Sequence, residues 1–174
     1  MFRIIVALAA VVTVLALVSV AAADSAHFKK GSPSAVKDNG LTFSQTASVA
    51  GLGNGDIVVT LSITNVQPTA RCVNPAGQTK VPGQNPAPTT AIGGVAVPGA
   101  DIKNGTLTIT VSTAAPSPNP IPGAPDCPNS SWTENITDMS LTKSSVATLT
   151  FYSDLNGNGV VDSGEPVILS TTTP

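Results

Sequence analysis

One histidine, two cysteines, an aromatic content of 3% and a charged content of 10% limit what this chain of 174 residues can do. With His27 as the only histidine, a copper brace built from two imidazoles cannot be completed. The same scarcity argues against Ser-His-Asp and Cys-His catalysis. Eight Lys and Arg stand against ten Asp and Glu, and the nearest thing to a basic cluster is Lys29-Lys30 with Lys37 further on, which argues against a nucleic-acid partner. Few aromatics mean few stacking surfaces: beyond the first two dozen residues only Phe28, Phe43, Trp132, Phe151 and Tyr152 are present. Paired carboxylates for glycoside hydrolysis are also scarce. Glu134 and Asp138 are the nearest pair outside residues 154–165, and on a regular strand they fall roughly 13 Å apart, too far for either hydrolytic geometry. They are expected to be exposed strand-edge charges.

What is present begins with an apolar run. Met1, Phe2 and Arg3 lead into an uncharged stretch that ends in Ala21, Ala22 and Ala23, the form of a secretory signal peptide over residues 1–23 with small residues at the cleavage site. An uncleaved membrane anchor is the competing reading, because a run of about twenty residues can span a bilayer. Cleavage leaves one domain of residues 24–174 and takes Arg3 with it, so the formal charge moves from −2 to −3. No later stretch is apolar enough to cross a membrane. In a secreted chain an even cysteine count reads as a disulfide, here Cys72 to Cys127. The C-x-x-C spacing of a redox pair is absent, and no histidine lies near enough to complete a zinc site.

Apolar and polar residues alternate over short runs at 41–49, 57–64, 69–73, 91–97, 106–111, 136–141 and 146–152, with turn residues between them. No segment beyond the signal has helical period. Seven to eight such strands predict an all-β fold, an antiparallel β-sandwich of immunoglobulin-like type. Phe43 and one of Phe151 and Tyr152 fall on inward faces by alternation. Trp132 follows the second cysteine, unlike the Cys-Trp-Cys order of antibody domains. Two Pro-rich stretches, 74–88 and 114–128, interrupt the pattern next to the cysteines. They are expected to run as stiff surface loops tied together by the disulfide.

Residues 154–165 read DLNGNGVVDSGE and fill every slot of a twelve-residue calcium loop. Asp154, Asn156 and Asn158 take positions 1, 3 and 5, the Val160 carbonyl position 7, Asp162 position 9 and Glu165 position 12, with Gly159 at the sharp turn. Ca²⁺ takes six to eight hard oxygen ligands, and this set supplies them. The flanks are not helical: 146–153 is β-branched and aromatic, Pro166 follows the closing glutamate, and 167–169 reads as a short strand. The loop is therefore expected on a β-hairpin. Metal-free, its two Asn-Gly pairs could equally serve as plain turn residues. The stretch resembles the Asp/Asn-rich calcium loops between strands in the B repeats of Gram-positive surface adhesins, and more distantly those of dockerins. That resemblance implies a brace in an extracellular β domain. With only three carboxylates, the affinity expected is roughly 10⁻⁴ to 10⁻³ M.

Ala26-His27-Phe28, Ala50 with Gly51-Leu52-Gly53-Asn54, Cys72 through Gly77, Pro82 through Pro86 and Cys127 through Thr133 resemble the landmarks of a family of small secreted bacterial and fungal proteins. The resemblance implies a secreted β domain, and it would put processing after Ala26. A chain starting at His27 would be similar to the lytic polysaccharide monooxygenases, which the missing second histidine rules out. The reading is thus a secreted, non-enzymatic β-sandwich with structural Ca²⁺ and a cell-surface or extracellular role. A carbohydrate-binding module, with Trp132 as its contact, is the alternative. A surface glycan or another extracellular protein fits as partner; nucleic acid and, after signal cleavage, the membrane do not.

Overall fold

A computed structural model of the protein describes residues 25–82, 85–117 and 126–174. The expected signal peptide, residues 1–23, and part of the second Pro-rich stretch lie outside them. The alternating runs form a 4-stranded and a 6-stranded sheet, antiparallel throughout. In chain order the strands are β1 (His27–Phe28), β2 (Lys37–Asp38), β3 (Phe43–Ala50), β4 (Ile57–Val73), β5 (Thr79–Pro82), β6 (Thr89–Val97), β7 (Leu107–Ser112), β8 (Thr133–Ser140), β9 (Val146–Ser153) and β10 (Val167–Thr173). Among the described residues the only helical element is a 3-10 turn at Gly99–Asp101.

In the smaller sheet β3 pairs with β1, β2 and β7. In the larger one β4 is the spine. Its first half lies between β9 and β6, and its second half pairs with β8 and β5. The odd positions Ile57, Val59, Leu61 and Ile63 are all at most 2% exposed, as period-two alternation requires. They share one core with Phe43, Val49, Leu107 and Val111 of the other sheet and with Leu149 and Phe151 of β9. Each such side chain contributes roughly 1.5–3 kcal/mol by leaving water. Phe28 closes one side of the core, its ring meeting Phe151 edge-on at a centroid distance of 6.0 Å. At Gly93 the sheets touch: a Cβ there would run into the Ser112 carbonyl of β7. The chain leaving β7 then changes sheets, Thr113 N–H donating to Phe43 at 2.8 Å and Ala114 N–H to Ile92 at 2.9 Å.

Three local expectations are corrected. Runs 57–64 and 69–73 are not two strands but one of 17 residues, kinked where Asn65 adopts φ 55° and the register with β6 shifts between Ile63 and Val66. Pro68 survives inside this strand because neither β5 nor β6 pairs with residues 67–70. The gap is filled from the loop instead. Ala70 N–H donates to Asn85 Oδ1 at 3.1 Å and Gln67 Nε2 to the Pro86 carbonyl at 2.9 Å, so the loop takes the place of the missing strand for these donors. The stretch 74–88 is not loop throughout, since β5 lies inside it and pairs with β4 from Val73 to Arg71. Finally, Glu134 is no exposed edge charge. It is 5% exposed at an inward position opposite Cys72, and a register shift between Thr69 and Ala70 puts Asp138 out of phase with it.

The disulfide expected from the cysteine count is present. Cys72 and Cys127 are joined with their Cα atoms 5.9 Å apart, across a sequence separation of 55.

Candidate metal centre

β9 and β10 form the hairpin that the flanks of residues 154–165 predict. Tyr152 pairs with Val167 at its base, and Ser153 N–H donates to the Pro166 carbonyl at 3.0 Å. Between these two closures the chain turns on Gly157 and Gly159, at φ 69° and 75°, values that cost a side-chain-bearing residue strain and glycine none.

Asp154, the first position, is 8% exposed and acts as the loop's internal cap. Its Oδ1 accepts N–H groups from Gly157 at 2.7 Å and Asn158 at 3.2 Å, and its Oδ2 accepts Gly159 N–H at 2.8 Å. Two Asx turns follow: Asn158 N–H donates to Asn156 Oδ1 at 3.0 Å, and Val160 N–H to Asn158 Oδ1 at 2.9 Å. These bonds aim both carboxamides at one point. Asn156 Nδ2 and Asn158 Nδ2 both donate to Asp162 Oδ2, at 2.8 and 2.6 Å, and these two bonds hold the Asp162 carboxyl below the usual carboxylate range. Glu165 spans the loop mouth, its Oε1 accepting Leu155 N–H at 3.2 Å and its Oε2 accepting Asp162 N–H at 3.0 Å.

The structure thus gathers positions 3, 5 and 9 at one point and ties position 12 to both ends of the loop. Position 1 is tied to the backbone between them, and Val160 at position 7 is exposed. Among the described residues no group of three or more His, Cys, Asp or Glu side chains is placed to hold a metal ion, so Asp154, Asp162 and Glu165 do not converge as the loop spacing predicts: Asp154 is turned onto backbone N–H groups instead. The donor set nonetheless fits a hard cation. It offers three carboxylates, two carboxamide oxygens and the Val160 carbonyl, and the amide N–H groups now crowding the Asp162 carboxylate stand in for positive charge.

Comparison with protein-family models, with curated proteins and with solved structures returns no match for this chain.

The other residues singled out by sequence lie apart from the hairpin loop. Trp132 is half-buried in the turn before β8, its N–H donating to the Asn129 carbonyl at 2.9 Å. Asn129 Oδ1 shapes that turn by accepting Ser131 N–H at 3.0 Å and Ser131 Oγ at 2.8 Å. Tyr152 and Phe28 are also half-buried, while Phe43 and Phe151 are fully buried. His27 is exposed, its Nδ1 lying 2.8 Å from the Ser25 carbonyl. Two carboxylates have surroundings that the sequence reading did not give them, Glu134 having been expected at an exposed edge and Asp56 not having been singled out. Glu134 has both oxygens buried without a hydrogen-bond partner, and burial first, then the neighbouring Asp126 charge, raises its pKa above the ordinary value. Asp56, almost a hundred residues before the loop, receives the Asp154 N–H on its carbonyl at 2.9 Å. The first is buried because it shares the inward face of Ile136, and the second is adjacent through the pairing of β4 with β9.

Proposed function

We infer that this chain is a secreted, non-enzymatic β-sandwich braced by Ca²⁺ on the β9–β10 hairpin, with a structural or adhesive role at a cell surface or in the extracellular matrix. Another extracellular protein or a surface glycan is its partner. The observation that carries this reading is the convergence of Asn156, Asn158 and Asp162 inside a loop whose mouth Glu165 spans. A plain turn needs the Asn-Gly pairs but has no use for Asp162 and Glu165 at those places. Strands enter and leave the loop, so an ion there stiffens a hairpin and has no helix pair to open, which separates a brace from a sensor. The disulfide fits the oxidising compartment that secretion implies.

The test is thermal. In 10 mM CaCl₂ against EGTA, with a dissociation constant of about 10⁻⁴ to 10⁻³ M, the native state gains roughly 1.4–2.7 kcal/mol, a rise in Tm of roughly 3–10 °C for a domain of this size. Glu165→Gln removes the negative charge, together with one of the two N–H bonds that the carboxylate accepts, and loses most of that rise. An unchanged Tm in the wild-type protein would reduce residues 154–165 to a hairpin turn.

A further inference from the structure

The hairpin loop does not stand alone at its end of the sandwich. Its inner wall, formed by Asp154, Gly157 and Gly159, faces Asp56, Ala96 and Pro98 across a cavity of about 80 Å³. Asp56 is the hub of this contact. Its carbonyl accepts the Asp154 N–H at 2.9 Å, which fixes the backbone of the loop's first position. Its Oδ1 accepts the Gly99 N–H at 2.7 Å, which anchors the turn after β6. Its Oδ2 points at the loop, 3.6 Å from where a Cβ on Gly157 would stand. Gly159 leans on the same wall, a Cβ there falling 3.1 Å from Ala96 Cβ. Position is held by backbone hydrogen bonds on both sides of this residue, and its carboxylate is left facing a loop that already carries Asp154, Asp162 and Glu165.

We propose that Asp56 is a positioning residue for the hairpin calcium site, seating the loop's first ligand and adding a fourth negative charge to the field the cation meets. The inference rests on the calcium reading above. It follows from how such loops are tuned, since affinity for Ca²⁺ grows with the number of carboxylates around the ion and with the rigidity of the loop that carries them. Asp56 supplies both from outside the twelve-residue motif. Through Gly99 it also links occupancy of the loop to the end of β6, so the ion braces three segments of the sandwich together.

Asp56→Asn separates charge from shape, because its carboxamide oxygen still accepts the Gly99 N–H. Ca²⁺ titrations followed by the shift in Tm, on the wild-type protein and on this variant, should show binding weakened roughly 3- to 10-fold, with the calcium-free Tm nearly unchanged. The gap should narrow in 0.5 M NaCl, where charges several ångströms apart are screened. Asp56→Ala, which also loses the Gly99 bond, should bind more weakly still and melt lower without calcium. Wild-type affinity in Asp56→Asn overturns the inference while leaving the calcium site standing, as does a loss that salt does not reduce. A wild-type protein that ignores Ca²⁺ overturns the site and the inference together.

Discussion

Replacing Cys72 and Cys127 together by alanine lowers the unfolding free energy by about 4 kcal/mol and the Tm by roughly 8–16 °C. The bridge spans a sequence separation of 55, and in the chain-entropy account a loop of that length loses much of its freedom in the unfolded ensemble when its ends are joined. Position adds to length. Cys72 is fully buried at the inner end of β4, in register with Val81 on one strand and Glu134 on another. Cys127 lies in the segment that leads into β8. The bridge therefore ties together the ends of a stretch holding β5, β6 and β7. Urea unfolding of the double alanine variant against the oxidised wild type measures the difference. A change under about 1 kcal/mol would mean that the unfolded chain is already constrained there, or that strain in the native bridge offsets the entropy.

The cysteine pair shows where this sequence was transparent. An even count in a chain with a signal-like start leaves one pairing, and the structure has it. The core was as plain, because Ile57, Val59, Leu61 and Ile63 recur at every second position and strand period allows them only one face. Legibility ends where one residue's role is set by another far away. Runs 57–64 and 69–73 read as two strands with Pro68 between them, whereas in the structure the side chain of Asn85, supplied by a loop, accepts the Ala70 N–H and the strand continues. The kink at Asn65 sits on hydrogen bonds from Thr142 Oγ1 at 3.1 Å and Ser145 Oγ at 2.9 Å to its carbonyl, again from a distant turn. The hairpin loop is divided in the same way. The hairpin setting, which the β-branched flank and Pro166 announce, is local chemistry and was readable. The grouping of Asn156 and Asn158 on Asp162 follows from Asx turns that depend on φ at two glycines. The place of Asp56 beside Asp154 depends on the β4–β9 register.

Substituting Glu134 by methionine stabilises the protein at pH 7 by about 1–3 kcal/mol, the usual penalty of a buried polar group left without a partner. Both carboxylate oxygens of Glu134 are buried and accept no hydrogen bond. The side chain sits on the same inward stripe of β8 as Ile136 and Met139, which are each 2% exposed, and Arg71 on the adjacent strand is exposed. Methionine matches the shape of glutamate and suits that stripe. The gain is pH-dependent with a definite sign. Burial and the Asp126 charge raise the Glu134 pKa above 4.5 in the folded protein, so the native state holds this proton more tightly than the unfolded chain does. The penalty is therefore full above the folded pKa, shrinks as pH falls through it, and is gone below the unfolded value. Wild-type stability should rise on mild acidification from pH 7, while Glu134→Met lacks that contribution, so the gap between the two curves should narrow as the carboxyl is protonated. Asp162 acts in a separate window and with the opposite sign. Its pKa is lowered from 3.8, so what its hydrogen bonds contribute is lost only as pH falls below that value, equally in both proteins. Denaturant unfolding at several pH values distinguishes the two groups. Parallel curves for wild type and variant between pH 7 and 4.5 would show that Glu134 finds a partner or water in solution and that the penalty does not exist.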